Sequence, residues 1–193
     1  PPSLGRFTAT LLDSGKVLVV GGAPYGVGGT ASAYLFDPTT NGWGPTTNPP
    51  SGARSDHQAV KQADGTVLLV GGSQAGISST AELYDPVADK FTLLAGKMAY
   101  TRLYGHRLTV MPDKRILVTG GQGAPVAGGS VVTLTSTEFW DPSTKTFSLG
   151  TNTIYPHRDH VAMLLPGGRV IVNAGTSDTC NVCSLAEIYT PDA

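Results

Sequence analysis

Charged and hydrogen-bonding side chains gather at four places in this chain of 193 residues, and each cluster precedes an apolar run. The candidate binding residues are Arg6 in the first cluster, Arg54 and Asp56 in the second, Arg102 and Tyr104 in the third, and His157, Arg158 and Asp159 in the fourth. Arginine and aspartate side chains on one surface offer charged donors and acceptors to a polar ligand. These residue types therefore predict a surface that binds a polar ligand.

Three histidines, His57, His106 and His160, close the second, third and fourth clusters. Histidine is a frequent metal ligand, and it also forms hydrogen bonds in packed interiors. Each of the three lies 14 residues before the first residue of a Gly-Gly or Ala-Gly pair, and Phe7 has that place in the first cluster. Because a repeated fold explains a repeated position, we expect hydrogen-bonded packing and not metal ligation.

The elements that position these clusters repeat with a period of about 50 residues. The pairs are Gly21-Gly22, Gly71-Gly72, Gly120-Gly121 and Ala174-Gly175, and the tight turns before them are at Gly15, Gly65, Lys114 and Gly168. Between turn and pair runs a short apolar segment rich in β-branched residues, which is typical of a buried strand. Later in each unit an aromatic residue precedes a proline by two positions, and a second aromatic follows in the first three units. Each unit therefore predicts antiparallel strands a, b, c and d.

This pattern of turn, apolar run, glycine pair and spaced aromatics resembles the kelch repeats of β-propellers. The resemblance implies an all-β, kelch-type β-propeller arc of about four four-stranded antiparallel blades, at about residues 5–50, 51–98, 99–152 and 153–193. Three units are complete, and the fourth lacks its outer strand. Because an open arc leaves apolar faces and strand edges uncovered, we expect part of a longer polypeptide or an arc completed by another chain. A self-contained four-bladed ring is the alternative.

Three glutamates, Glu82, Glu138 and Glu187, each lie two residues before the aromatic of strand c. Acid-base catalysis uses a pair of groups in different environments, and one carboxylate in every repeat does not provide such a pair. We therefore expect these glutamates to be structural hydrogen-bond acceptors between blades.

The loops between strands b and c vary most among the units, and the third includes the sequence GAPVAGG at residues 123–129. Variable loops on a repetitive scaffold are where recognition usually resides. Arg54, Arg102 and Arg158 do not share one register in the repeat, which favours ligand contact for them. We expect a non-catalytic module that recognises a protein or a carbohydrate through the b–c and inter-blade loops.

The spacing of Cys180 and Cys183 is compatible with a redox pair, half of a metal site or a small disulfide. The second half of the chain resembles the propeller of the galactose oxidase and glyoxal oxidase family, on segments 110–113 (VMPD), 118–122 (VTGGQ), 164–170 (LLPGGRV), 180–183 (CNVC) and 188–191 (IYTP). The resemblance implies a disulfide between the two cysteines. A disulfide in turn implies a secreted location, extracellular or periplasmic.

That family holds copper with two tyrosines and two histidines, which include an adjacent Tyr-His pair on an inner strand. The matching positions in this chain are Arg158 and Asp159. Because the pair is not matched, we expect no catalytic residue, no metal site and no cofactor here. The alternative is a fragment of a secreted copper radical oxidase whose catalytic groups lie outside these residues, and copper is a cofactor only in that case.

Composition excludes two further classes of partner. With 13 Lys and Arg against 14 Asp and Glu, the net charge is -1, so the basic excess that binds a phosphate backbone is missing. No apolar run approaches the roughly 20 residues that a membrane-spanning helix needs. The 25 Gly and 14 Pro disfavour long helices. We expect neither nucleic acid nor a membrane span, and further blades from the same or another chain are the remaining candidate partners.

Overall fold

A computed structural model of the protein describes residues 5–24, 28–74, 76, 78–180 and 185–191. No helix in this part of the chain is long and apolar enough to cross a membrane. The strands are β1 (Thr8–Leu11), β2 (Val17–Val20), β3 (Ala33–Asp37), β4 (Gly42–Pro45), β5 (Gln58–Lys61), β6 (Val67–Val70), β7 (Ala81–Asp85), β8 (Lys90–Leu93), β9 (Arg107–Val110), β10 (Ile116–Thr119), β11 (Gln122–Gly123), β12 (Val132–Thr133), β13 (Thr137–Asp141), β14 (Thr146–Leu149), β15 (Val161–Leu164), β16 (Val170–Asn173) and β17 (Ala186–Tyr189).

The strands form antiparallel sheets in two compact units, Pro1–Ala95 and Gly96–Ala193. The first unit contains blade 1, with order β1-β2-β3-β4, and blade 2, with order β5-β6-β7-β8. The second unit contains blade 3, with order β9-β10-β13-β14, and blade 4, which has β15-β16-β17 within the described residues. The short hairpin β11-β12 lies in the b–c loop of blade 3. The predicted all-β fold of four blades is confirmed, with four strands in each of blades 1 to 3 and three strands of blade 4 within the described residues.

In the first unit, the core lies between blades 1 and 2. Because side chains alternate along a strand, one set of β2 and β3 residues faces blade 2. The core residues are Leu12, Leu18, Val20 and Ala33 from blade 1 and Val67, Leu69, Tyr84 and Phe91 from blade 2. Full burial of an aliphatic or aromatic side chain stabilises the fold by roughly 1.5–3 kcal/mol. Blade 1 thus contributes small and aliphatic side chains to this joint, and blade 2 contributes the aromatic pair.

In the second unit, blades 3 and 4 pack in the same way. The core residues are Met111, Leu117 and Phe139 from blade 3 and Val170, Val172 and Tyr189 from blade 4. The Tyr189 hydroxyl also lies 3.1 Å from Thr137 Oγ1 of blade 3, which links the outer parts of the two blades.

Gly21 and Gly120, each the first glycine of its pair, permit the two blades of one unit to approach closely. Gly120 has φ +55°, and a Cβ at this position would overlap the His157 carbonyl oxygen of blade 4. Gly121 then donates its N–H to the same oxygen at 2.7 Å. Gly21 makes the equivalent approach to Arg54 in the first unit, with φ +64°. The glycine pair is therefore required by the joint to the following blade as well as by the end of strand b.

Candidate functional site

In blade 2, the Arg54 guanidinium is fully buried and ion-paired. Nη2 and Nε of Arg54 donate to Glu82 Oε1 at 2.7 and 3.1 Å. Nη1 donates to the Gly71 carbonyl oxygen at 2.8 Å, and Nη2 also donates to Thr80 Oγ1 at 3.1 Å. Glu82 Oε2 accepts the Ser51 N–H at 2.8 Å. This network joins the segment before strand a to strand c of the same sheet.

Blade 3 contains the same network. Arg102 is fully buried, and its Nη2 donates to Glu138 Oε1 at 3.0 Å. Nη1 donates to the carbonyl oxygens of Gly120 and Ser136 at 2.5 and 3.2 Å. Glu138 Oε2 accepts the Ala99 N–H at 2.7 Å. Arg54 and Arg102 therefore have equivalent partners in their blades.

In blade 4, a histidine has the place of these arginines. His157 Nε2 lies 2.9 Å from Glu187 Oε1, and its Nδ1 lies 3.0 Å from the Ala174 carbonyl oxygen. Glu187 also accepts the N–H groups of Ile154 and Tyr155 at 2.7 and 3.1 Å. A buried carboxylate with a cation or imidazole and one or two backbone N–H groups is thus common to blades 2, 3 and 4.

These networks correct two expectations from the sequence. Arg54, Arg102 and His157 were candidate ligand contacts, but their buried side chains bond to groups of their own blades. Burial of a charged group is costly unless it is paired and hydrogen-bonded, and these networks meet that requirement. The three glutamates are structural acceptors, but each joins parts of one blade, where the sequence predicted contacts between blades.

Two of the repeated histidines, His57 and His160, lie at the joint between the blades of their unit. His57 Nε2 lies 2.8 Å from Thr8 Oγ1 of blade 1, and His160 Nε2 lies 2.8 Å from Thr119 Oγ1 of blade 3. Burial lowers the pKa of each histidine to about 3, helped by Arg54 beside His57 and by nearby cationic groups around His160. Both rings are therefore neutral at pH 7. No group of three or more His, Cys, Asp or Glu in the described part of the chain could hold a metal ion.

In the first unit, Arg6 and Asp56 form a polar cluster at the surface. Arg6 Nη1 lies 3.2 Å from Asp56 Oδ2, and that oxygen also accepts hydrogen bonds from Ser55 Oγ at 3.1 Å and Ser73 Oγ at 2.8 Å. Both Arg6 and Asp56 have positive φ values, +60° and +58°. The structure thus brings two of the predicted candidates together at the start of strand a.

In the second unit, Arg158 is the centre of a larger cluster. Its Nε donates to Thr176 Oγ1 at 2.9 Å, and its Nη1 donates to Asp178 Oδ1 at 3.1 Å and to Gln122 Oε1. Thr133 donates its N–H and its hydroxyl to Asp178 at 2.6 and 2.9 Å. The backbone hydrogen bond from Thr133 is the main cause that lowers the pKa of Asp178, followed by side-chain hydrogen bonds and the charge of Arg158.

Sequence reasoning found Arg158 and missed its four partners. Gln122 and Thr133 lie on the hairpin in the b–c loop of blade 3, and Thr176 and Asp178 lie in the b–c loop of blade 4. The sequence signal that could have found these four residues is the variability of the b–c loops, which predicted recognition there. Isolated polar residues in loops give no periodic pattern, so their convergence on Arg158 needed the fold.

Tyr104 and Asp159 lie beside this cluster. The Tyr104 carbonyl oxygen accepts the Gln122 N–H at 2.9 Å, and 37% of Tyr104 is exposed. Asp159 has φ +54° and donates its N–H to the Gly105 carbonyl oxygen at 2.8 Å. The structure therefore places Tyr104, Arg158 and Asp159 around one patch, which we call the Arg158 patch, together with Gln122, Thr133, Thr176 and Asp178.

Cys180 lies next to this region, and its backbone bonds to Ser177. Cys183 is outside the described residues, so the disulfide between the two cysteines stays a prediction.

No family model and no curated protein sequence matches this chain. Among solved structures, the chain is similar to the structure of YjhT, with a TM-score of 0.72 and 15% sequence identity. The match covers 100% of this chain and 66% of YjhT, so the chain spans about two thirds of that protein's length. At this level of identity the likeness shows the fold. It agrees with the sheets described above, and we conclude that the chain has an all-β fold of propeller-type blades.

Proposed function

We propose that this chain is a non-catalytic binding module that recognises a carbohydrate at the Arg158 patch. The observation that supports this most is the fixed position of the Arg158 guanidinium, which bonds through Nε and Nη1 to acceptors from two b–c loops. A side chain held in one geometry loses little conformational entropy when a ligand binds. The patch is therefore preorganised.

The chemistry of the patch favours a ligand with many hydroxyl groups. Arg158 bonds to its described neighbours through Nε and Nη1, and Nη2 is the donor that we assign to the ligand. Asp178 offers a carboxylate whose side chain is 43% exposed, and Tyr104 offers a phenol and the face of a ring. Sugars present donors and acceptors beside apolar C–H groups, which matches such a mixture of polar groups and one aromatic ring.

A protein ligand is the other partner class that the sequence predicts. Binding energy in protein interfaces is concentrated in desolvated pockets that contain aromatic and arginine anchors. Arg158 is already paired with Asp178, and the polar side chains around it include Gln122, Thr133 and Thr176. A small polar patch of this kind suits a sugar better than the apolar centre of a protein interface.

The test is an oligosaccharide array followed by calorimetric titration of the best sugar against the native chain. We expect Arg158→Ala and Tyr104→Ala each to weaken binding at least about tenfold, because each removes a direct contact worth about 1.4 kcal/mol or more. Arg115→Ala is the matched control, since Arg115 is a half-exposed arginine paired with Asp113 at 2.6 Å and lies next to the a–b hairpin turn of blade 3. Circular dichroism checks that each variant is folded.

Two results would contradict the proposal. One is that no oligosaccharide binds the native chain above background. The other is that Arg115→Ala weakens binding as much as Arg158→Ala, which would show a general effect of charge and not a contact at the patch.

The oxidase alternative does not fit the residues present. Arg158 and Asp159 are at the positions that match the Tyr-His pair, and an arginine is not a copper ligand. We therefore assign no catalytic step to this chain. Copper titration followed by EPR tests this assignment, because a specific type 2 copper signal from the native chain would contradict it.

A further inference from the structure

Blade 1 exposes an apolar sheet face on the side turned away from blade 2. Leu18 and Val20 point into the joint with blade 2, so their neighbours on β2 and the residues paired with those neighbours point the other way. We call this surface the open face of blade 1, and its residues are Phe7, Leu11, Val17, Val19, Phe36 and Trp43. Trp43 is 45% exposed, whereas Phe91 at the same register of blade 2 is 8% exposed.

Blade 4 exposes a largely apolar sheet face on the side turned away from blade 3. Val170, Val172 and Tyr189 point into the joint with blade 3, so the alternate residues of β15, β16 and β17 point away. We call this surface the open face of blade 4. Its apolar residues are Val161, Met163, Ile171, Ala186 and Ile188, and the polar Asn173 lies opposite Val161 and Ala186. Met163 and Ile188 are 57% and 46% exposed. Apolar side chains that share one exposed face mark an interaction surface.

We propose that the open face of blade 4 in one copy of this chain packs against the open face of blade 1 in a second copy. The joint between blades 1 and 2 is the template for this contact. There, blade 1 contributes Leu18 and Ala33, and blade 2 contributes Tyr84 and Phe91.

The two open faces carry the same residue classes as that template at most registers, and the exception is Asn173 of blade 4, at the register of the buried Val20 of blade 1. Ile171, Ala186 and Ile188 of blade 4 match Leu18, Ala33 and Leu35 of blade 1, counted from the Gly-Gly or Ala-Gly pair and the strand-c aromatic. On the other open face, Phe36 and Trp43 match Tyr84 and Phe91, and their ring centroids are 4.9 Å apart, close to the 4.7 Å of the buried pair. Each open face therefore presents one half of a blade-to-blade joint.

Two positions that form a hydrogen bond in the joint between blades 1 and 2 are both apolar on the open faces. Inside the first unit, His57 of blade 2 bonds to Thr8 of blade 1. In the proposed contact, Phe7 has the place of the histidine and Val161 has the place of the threonine. An apolar pair leaves no unpartnered polar group at these two positions, whereas Asn173, opposite Val161 and Ala186, is a polar residue on the open face of blade 4 and weakens the contact.

Ala174 limits how tight this contact becomes. Gly21 and Gly120 bring the following blade close because they have no Cβ, and Ala174 is the residue of blade 4 at that position. With φ +57°, its Cβ points where the main chain of a following blade would lie. The two copies therefore meet through the apolar faces without the close main-chain approach, and association is weaker than an internal joint.

The contact joins two different faces, so it is heterologous. This makes a complementation test available with the full chain. Trp43→Arg blocks the open face of blade 1 and leaves that of blade 4 intact, and Ile188→Arg does the reverse. By sedimentation velocity we expect the native chain to associate with rising concentration, each variant alone to remain monomeric, and an equimolar mixture of the two to form dimers.

Ala174→Gly provides an independent readout, because it restores the glycine found at Gly21 and Gly120. We expect it to strengthen self-association at least about threefold, while Ala174→Gly combined with Ile188→Arg remains monomeric. Circular dichroism confirms that each variant is folded. A native chain that is monomeric at all concentrations, a mixture that forms no dimer, or a single-face variant that dimerises by itself would each overturn the proposal.

Discussion

Removal of the carboxylate from a buried Arg-Glu pair is expected to destabilise the protein strongly. In Glu82→Ala, the Arg54 guanidinium keeps its charge at a site with no exposed surface and loses the acceptor of its bonds at 2.7 and 3.1 Å. An uncompensated buried charge costs about 3–5 kcal/mol. The Ser51 N–H loses its acceptor as well. Because domains of this kind are stable by about 5–15 kcal/mol, the variant loses a large share of its stability.

The assay is urea denaturation and calorimetry of the whole chain. For a protein of this size, 3–5 kcal/mol corresponds to a fall in Tm of about 6–20 °C. Asp13→Ala is the matched control, since it breaks the surface pair with Lys61, in which the Asp13 side chain is 71% exposed, and is expected to cost at most about 1 kcal/mol.

The double variant Arg54→Met with Glu82→Leu distinguishes the loss of the ion pair from the cost of leaving a buried charge unpaired. An apolar pair of similar volume removes the buried charge, so this variant is expected to be more stable than Glu82→Ala. The reasoning fails if Glu82→Ala costs no more than Asp13→Ala, or if the double variant is less stable than Glu82→Ala.

Three further predictions concern joints between blades and the cysteine pair. Gly120→Ala should lower the free energy of unfolding by more than about 3 kcal/mol, because the added Cβ meets the next blade. Gly15→Ala has open space around its Cβ and should lose only about 1–2 kcal/mol, for its positive φ. Urea denaturation of both variants tests this, and equal losses would contradict it. The pKa of His160 is lowered to about 3 in the folded state, so the unfolded state takes up the proton first and stability falls as pH drops from about 6.5 toward 3. The loss is up to about 1.4 kcal/mol per pH unit. In His160→Gln, the free energy of unfolding measured against pH should therefore have a shallower slope in that range. Mass spectrometry of the native chain after thiol alkylation should find Cys180 and Cys183 unmodified, and two alkylated thiols would refute the disulfide.

The blades were predictable because their signals are local. Turn glycines, β-branched runs and the aromatic before Asp-Pro all lie within one unit of about 50 residues, and their recurrence specifies four strands per unit without knowledge of the fold. The same recurrence identified Glu82, Glu138 and Glu187 as structural acceptors. It also placed the histidines in packed positions.

The sequence by itself determined the all-β class, the period and the strands, because strand alternation and turn geometry depend on neighbouring residues. Only the tertiary structure decided which arginines are buried. Arg54 and Arg102 lie three and four residues before their histidines, which hid their equivalence, while their carboxylate partners lie 28 and 36 residues further on. Arg158 appeared similar in sequence, yet its side chain keeps 22% exposure because its acceptors come from two b–c loops. A charged side chain becomes structural or available to a ligand according to where its partner lies after folding, and no local pattern contains that information.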